Sequence, residues 1–304
     1  MAKMRSFFED IDKEEFIELT YRLSANDIAK HYGINLRTVF TWKNNIRNMG
    51  KDVGEGGIPI SETEDYTAHE VVTAERAIVV SDVEFPDQDA EMLGIMLAMA
   101  QRFKIKILII AGDFIALDSF STWAKSAAYT LAFKQELDPA KEALRVFFKW
   151  FDEIIYISGN HDRRLNHKID GEITIGDFLT DFAGLRCSEY THCVLNSGDR
   201  EIFIVHPKNY RDHPLSLPSR MASKKLMCVI AGHTHHLAIG YDVSGTFWVA
   251  ESGCCRDKNK THYKNTRQTT HTEWNPGFLM VIEGNPFMID KNNYLIWASM
   301  KMEG

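Results

Sequence analysis

The 304-residue chain has no cysteine pair at C-x-x-C spacing, no apolar stretch long enough to span a bilayer, no tract of low complexity and no basic excess. Its five cysteines, Cys187, Cys193, Cys228, Cys254 and Cys255, are an odd number without a motif. That excludes a disulfide framework or thiolate zinc site as the organising feature and suits a reducing compartment. The N-terminal "MAKMRSFFEDIDKEEF" lacks the uninterrupted apolar segment of a secretory signal, and runs such as "LGIMLAMA" fall well short of the ~20 residues a spanning helix needs. A soluble, cytoplasmic protein without a membrane partner is expected. A net charge of -7 argues against a protein that coats nucleic acid over its whole surface, but leaves room for local basic faces and for bound cations. What is present is an ordinary globular balance, 44% hydrophobic and 25% charged, enough for one sizeable core and a smaller one.

The chain divides near residue 50. Within residues 1–50 three short helices are expected, over "KEEFIELTYRL", "SANDIAKHYG" and "NLRTVFTWKNNIRNMG". Ser24 suits an N-cap with Asp27 three residues on, and Gly33 suits the left-handed residue that ends a helix. Asn35 or Thr38 can start the third helix, whose Val39, Trp42 and Ile46 fall at docking spacing. This stretch resembles a helix-turn-helix of the homeodomain-like or transposase and resolvase type. The resemblance implies nucleic acid as a partner, with Arg37, Lys43 and Arg47 as basic contacts and Arg37, Thr38 and Thr41 facing a groove. A small all-α docking or oligomerisation module is the alternative, and oligomeric state is left open. Residues 51–74, rich in glycine and acids and without sustained period, are expected to be a mobile linker.

From residue 75 strands alternate with helices: "RAIVVSD", a helix over 88–103, "IKILIIAGD", a helix over 138–151, "EIIYISGNHD", then "REIFIVHP", "LMCVIAGHTHH", "TFWVAESG" and "GFLMVIEG". The pattern predicts an α/β domain over 75–304 with a mixed sheet, doubly wound at its start. Each early strand closes on a residue able to bind metal: Asp82, Asp113, Asn160 with His161, His206, and His233 with His235. One such residue is an ordinary turn residue. Five coincident strand ends bring oxygen and imidazole donors to one sheet edge, as a pair of divalent cations requires.

These residues resemble the calcineurin-like metallophosphoesterases, whose signature runs Asp-x-His, Gly-Asp-x-x-Asp, Gly-Asn-His-Asp or Glu, a lone His, and Gly-His-x-His. The counterparts here are "SDVE", "GDFIALD", "GNHD", "VHP" and "GHTH", in that order over residues 76–240. "ESGCC" and "WNPGFLMVIEG" further resemble closing strands of phage-encoded members, which implies a bacterial or phage-infected host cell. The resemblance implies two mixed β-sheets in a sandwich flanked by helices, preceded by the small helical domain. It implies Asp82 and His235 on a first metal, Asp113 bridging, and Asn160, His206 and His233 on a second, with His161 as general acid outside the ligand shell. His236 matches no ligand position and is expected at the surface.

Two positions depart from the pattern. Glu84 stands where the family has histidine, and Ala116 where it has the second aspartate, with Asp118 two residues on as a substitute neighbour. Ligation by Glu84 would make the first site more anionic and harder, favouring Mn²⁺ or Mg²⁺ over zinc, with Fe and Ni as further candidates. Arg163 and Arg164 follow the "GNHD" loop, and Lys208, Arg211, Arg220, Lys224 and Lys225 lie between two ligand loops, a segment suited to a polynucleotide backbone. The reading is a metal-dependent phosphodiesterase acting on nucleic acid, as a nuclease or end-processing enzyme. Its rivals are a phosphomonoesterase acting on a nucleotide or phosphoprotein and a metal-free DNA-binding regulator.

Overall fold

The computed structural model describes residues 11–54, 69–122, 131–168, 173–260 and 274–300. The chain forms two compact units, Met1–Thr67 and Ala68–Gly304.

In the first unit α1 (Lys13–Arg22) is capped by Asp12, whose carboxylate accepts from the Glu14 and Glu15 amides. α2 (Ala25–His31) is capped by Ser24, which accepts from the Asp27 amide, and ends before Gly33 at φ +62°. α3 (Leu36–Asn48) is capped by Asn35, not Thr38, through a 2.9 Å bond from the Thr38 amide. Phe16, Ile28, Val39, Trp42, Ile46 and Val53 make the core, and burial of each such large side chain contributes about 1.5–3 kcal/mol.

Two expectations fail here. Lys43 does not lie on an open basic face: it is buried, and its Nζ donates to the Gly54 carbonyl at 2.7 Å. Its spacing from Val39 and Ile46 puts it on the inward stripe of α3, where a long side chain can thread its amine to a backbone carbonyl. Nor is residue 51 the start of a free linker. Val53 joins the core, and the Gly54 amide donates to Thr20 Oγ1 at 2.9 Å, so 51–54 completes the helical unit. The middle of the expected linker, 55–68, lies outside the described residues.

The second unit is a two-sheet sandwich. One sheet has the order β12-β11-β2-β3-β4-β5, built from β2 (Arg76–Val80), β3 (Ile107–Ala111), β4 (Glu153–Ile157), β5 (Leu185–Ser188), β11 (Phe278–Ile282) and β12 (Asn285–Ile289). The other has the order β1-β6-β7-β8-β10-β9, built from β1 (Glu70–Thr73), β6 (His192–Ser197), β7 (Arg200–Val205), β8 (Cys228–Ala231), β9 (Leu237–Tyr241) and β10 (Trp248–Ser252). β2, β3 and β4 are mutually parallel, as are β7, β8 and β10. These strands read as almost unbroken apolar runs because both faces are covered. Val79, Ile109 and Ile155 meet Leu195, Ile202 and Ile230 between the sheets. On the outer side, Ile78, Leu108 and Ile154 pack against Met92, Met96 and Met99 of α4 (Ala90–Arg102) and Leu144 and Phe147 of α5 (Phe133–Phe147).

β1 overturns the remaining end of the expected linker: Glu70–Thr73 pairs in parallel with Cys193–Asn196. Four residues at a sheet edge are too few to display a period. β5, β6, β9 and β12 also went unpredicted: β5 and β6 mix polar and apolar residues, β9 follows the histidine loop directly and contains Gly240, and β12 opens on Asn285 and Pro286. α5 begins five residues before the expected start at 138 and passes through Pro139; Leu137, Ala140, Leu144 and Phe147 form its buried stripe.

Candidate metal centre

The parallel strands deliver their C-terminal ends to one edge of the sandwich, where α/β sheets place their chemistry. Asp82 follows β2, Asp113 follows β3, Asn160 and His161 follow β4 and open α6 (Asp162–Lys168), His206 follows β7, and His233 and His235 follow β8. Asp82, Glu84, Asp113, His233 and His235 all have left-handed backbones, with φ of 52°, 51°, 52°, 77° and 61°. Each non-glycine residue there carries strain of order 1 kcal/mol, and such clusters occur at functional sites where neighbours impose them. Two glycines make room. A Cβ on Gly112 would run into the His206 ring, and one on Gly159 into the Asp113 carboxylate.

The side chains converge in two groups, Asp82–Asp113–His206–His233 and Asp82–Glu84–His235, with candidate ligand atoms in each within 4.8 Å of one another. His235 Nε2 lies 3.1 Å from Asp82 Oδ1 and 3.5 Å from Glu84 Oε1. His206 Nε2 lies 3.3 Å from Asp113 Oδ2 and 3.0 Å from Asn160 Oδ1, while its Nδ1 bonds the Ala111 carbonyl at 2.8 Å. That carbonyl bond orients the ring as the outer partners of metal-binding imidazoles do. Asp82 is common to both groups by spacing, and Asp113, which the resemblance makes the bridging carboxylate, belongs to the first of them. The donor set fits divalent cations: three carboxylates buried side by side repel one another, and oxygen with imidazole suits such ions.

Histidines supply countercharge to these carboxylates. Burial raises the Asp113 carboxyl, but His161 and His206 outweigh it and hold it well below the usual range. Burial likewise opposes the charged form of His206, yet Asp113 drives it up to about 10. Asp82 similarly raises His235 well above an ordinary imidazole against the effect of burial. His233 goes the other way, down to about 4, through burial and the neighbouring His206 charge.

His161 is held from three sides. Its amide donates to Asp113 Oδ1 at 2.7 Å, its Nδ1 bonds the Ala116 carbonyl at 2.8 Å, and Arg164 Nη2 meets its Nε2 at 2.8 Å. The missing aspartate at position 116 is thus replaced by the backbone carbonyl of the same residue. Asp118 does not reach the imidazole as the sequence suggested; it takes Arg164 Nη1 at 2.6 Å and acts one step removed.

Glu84 reaches the first group but not as an uncompensated charge. Arg256, after β10, bonds Glu84 Oε2 and reaches Asp87 Oδ2 at 2.8 Å, all three residues being buried. The expectation of a more anionic site is corrected by this guanidinium. His236 is also corrected: it is buried, with Nδ1 3.3 Å from Glu251 Oε2. Its neighbour Thr234 donates to the same carboxylate at 2.9 Å, so the second residue of the His-His pair turns inward behind the loop.

Two contributors, Arg256 and Asp162, were missed in the sequence. Arg256 could have been found as a charge just beyond the apolar run "WVAESGCC". Asp162 Oδ2 accepts from the Asp113 and Gly159 amides at 3.1 and 2.7 Å, and its other oxygen takes the Tyr156 hydroxyl. Burial and the nearby Asp113 charge raise the Asp162 carboxyl to about 6. Only the "GNHD" spacing hinted at this bracing role. Of the expected substrate contacts in this unit, Arg164 stands against His161, and Arg163, Lys208 and Arg211 are exposed. Arg220, Lys224 and Lys225 are exposed on the helix α7 (Ser216–Lys225). No helix among the described residues is long and apolar enough to cross a membrane.

A comparison with curated proteins finds no match. Among solved structures the chain is similar to a novel archaeal phosphodiesterase, at 15% identity and a TM-score of 0.40 over 70% of this chain and 98% of that one. It is also similar to Yfce, a phosphoesterase from E. coli, at 14% identity and a TM-score of 0.38 over 71% and 97%. Vps29 of Entamoeba histolytica, solved with Zn²⁺, matches at 11% identity and a TM-score of 0.37 over 67% and 84%. These likenesses are distant. The model of the calcineurin-like phosphoesterase superfamily domain matches residues 76–272, well over half the chain and the whole stretch bearing the strand-end ligands, and the protein belongs to that superfamily.

Proposed function

We propose that this protein is a metal-dependent phosphodiesterase acting on nucleic acid, with the catalytic centre in the second unit and a nucleic-acid-binding helix-turn-helix in the first. The observation that carries the hydrolytic part is the pair of ligand groups sharing Asp82. Asp82, Glu84 and His235 would hold one divalent cation, and Asp82, Asp113, Asn160, His206 and His233 the other, Mn²⁺ being the first candidate for this oxygen and nitrogen set. Bound there, two cations supply a hydroxide at neutral pH and neutralise the non-bridging phosphate oxygens.

The chain's own residues do the rest. The Ala116 carbonyl holds His161 Nδ1, and Nε2, which accepts from Arg164 here, would protonate a leaving alkoxide after exchanging that partner for a proton and the substrate oxygen. Arg164, its guanidinium engaged by Asp118, the Ala116 carbonyl and His161 Nε2, sets a positive charge beside that nitrogen, and the exposed Arg163 would extend the positive edge toward a phosphate. Nucleic acid is favoured as substrate by the exposed Arg37 and Arg47 on α3 and by the basic residues between 208 and 225.

The test is hydrolysis of bis(p-nitrophenyl) phosphate against p-nitrophenyl phosphate with added Mn²⁺, followed by labelled single- and double-stranded DNA and RNA. Preference for the diester and cleavage of a polynucleotide are expected. Preference for the monoester with intact polynucleotides would instead make the protein a phosphomonoesterase.

A further inference from the structure

Glu84 is a buried carboxylate between His235, Arg256 and His161, whose Nδ1 lies 3.6 Å from Glu84 Oε2. Its Oε1 faces the first ligand group, 3.5 Å from His235 Nε2, while Oε2 is bonded to Arg256. The guanidinium is held from its other side by Asp87 and is itself 3% exposed, so it cannot trade this partner for water. The Glu84 backbone is equally constrained, left-handed at φ 51° with its amide donating to the Asp113 carbonyl at 3.0 Å. A carboxylate so placed has one oxygen for a cation and one committed to a cation of the protein's own.

We infer that Glu84 and Arg256 act as a single neutral ligand unit in place of an imidazole, and that Arg256 thereby determines which divalent ions the centre accepts. The guanidinium returns the charge of one carboxylate, so Glu84, Arg256 and Asp87 together carry one negative charge, the same as Asp87 alone would leave beside a neutral histidine. Oxygen still replaces nitrogen as the donor, which keeps the hardness of the site while avoiding an extra buried anion. Alone, a glutamate here would add one more negative charge to a centre already holding Asp82 and Asp113; alone, an arginine would repel the ion. Arg256 is a positioning and charge-setting residue and touches no reacting atom.

This rests on the metal-centre reading above, and the experiment separates the two. Dissociation constants for Mn²⁺ and Zn²⁺ are measured on the full chain by competition with a fluorescent chelator, with elemental analysis for stoichiometry. Glu84→His leaves Arg256 paired with Asp87 alone and the neighbourhood of the centre one negative charge poorer, and is expected to weaken binding at least about tenfold. Adding Arg256→Gln to it should restore affinity and move preference toward Zn²⁺. Arg256→Gln alone should move the Mn²⁺ to Zn²⁺ affinity ratio the opposite way. If Glu84→His does not fold by circular dichroism, Glu84→Gln, nearly isosteric, replaces it with the same loss and the same rescue expected. A double variant no better than its Glu84 parent, or a ratio unmoved by Arg256→Gln, overturns the inference alone; a wild-type chain that binds neither ion overturns the metal-centre reading and the inference with it.

Discussion

At the scale of single residues, the centre combines side chains that are strained, buried and mutually compensated. His161 is the one imidazole placed beside the ligands with its orientation set by a carbonyl and an arginine. His161→Ala should therefore cut turnover by about 10²–10⁴-fold while leaving metal content intact, because it removes proton transfer and no ligand. Turnover equal to wild type would remove the role. The histidine ligands make a second prediction. A ligating imidazole must be neutral, and in the ion-free chain His206, with its pKa at about 10, and His235, raised well above its ordinary value, hold protons at neutral pH. His233, at about 4, holds none there. Titrating Mn²⁺ into weakly buffered protein near pH 7 should release on the order of two protons per chain, read with an indicator dye. By the same sign, apparent affinity should rise with pH toward about 10. Binding independent of pH between about 6 and 9 would contradict it.

At the scale of elements, the turns do as much as the strands. Gly112 and Gly159 let two strand-end loops approach the His206 ring and the Asp113 carboxylate, and neither has a signal in hydrophobic period. The turn between β9 and β10 shows how a loop is pinned without metal. Asp242 accepts from the Ser223 and Ser244 hydroxyls and from the Thr246 and Phe247 amides. Burial opposes its charge, yet these donors lower the carboxyl from 3.8 to about 2. A depressed acid stabilises the fold fully above its unfolded value and loses that contribution as pH falls through its folded one. Asp242→Ala should thus lower the melting temperature at pH 7, and the gap from wild type should close between about pH 4 and pH 2, measured by thermal denaturation across pH. A gap that persists unchanged at the acid end would show that the charge is not what holds the turn.

At the scale of the whole molecule, the chain forms two units with separate cores. Because β1 begins at Glu70, a truncated catalytic unit must start near residue 68, and one beginning at 75 would lose the edge strand paired with β6. A chain of residues 68–304 is expected to keep its activity on bis(p-nitrophenyl) phosphate and to bind polynucleotide more weakly than the full chain. Arg37→Ala or Arg47→Ala in the full chain should each lower the salt dependence of binding by about one unit of slope. Equal polynucleotide affinity with and without the first unit would reduce that unit to a docking or assembly module.

Strand ends, helix caps and ligand residues were legible in the sequence because each is local. An apolar run followed by glycine and an aspartate or histidine announces a buried strand and its loop, and Ser24 and Asn35 announce helix starts. The candidate ligand residues followed from counting such ends, and the phosphoesterase sandwich from the resemblance those residues carry. What only tertiary structure decided were the pairings between residues far apart in the chain: Arg256 on Glu84, the Ala116 carbonyl on His161, Asp162 under Asp113, Glu251 behind His236, and Gly54 over Lys43. Each fixes whether a charge is free, compensated or buried. That depends on burial and on the neighbour across space, which no period or spacing in the chain encodes.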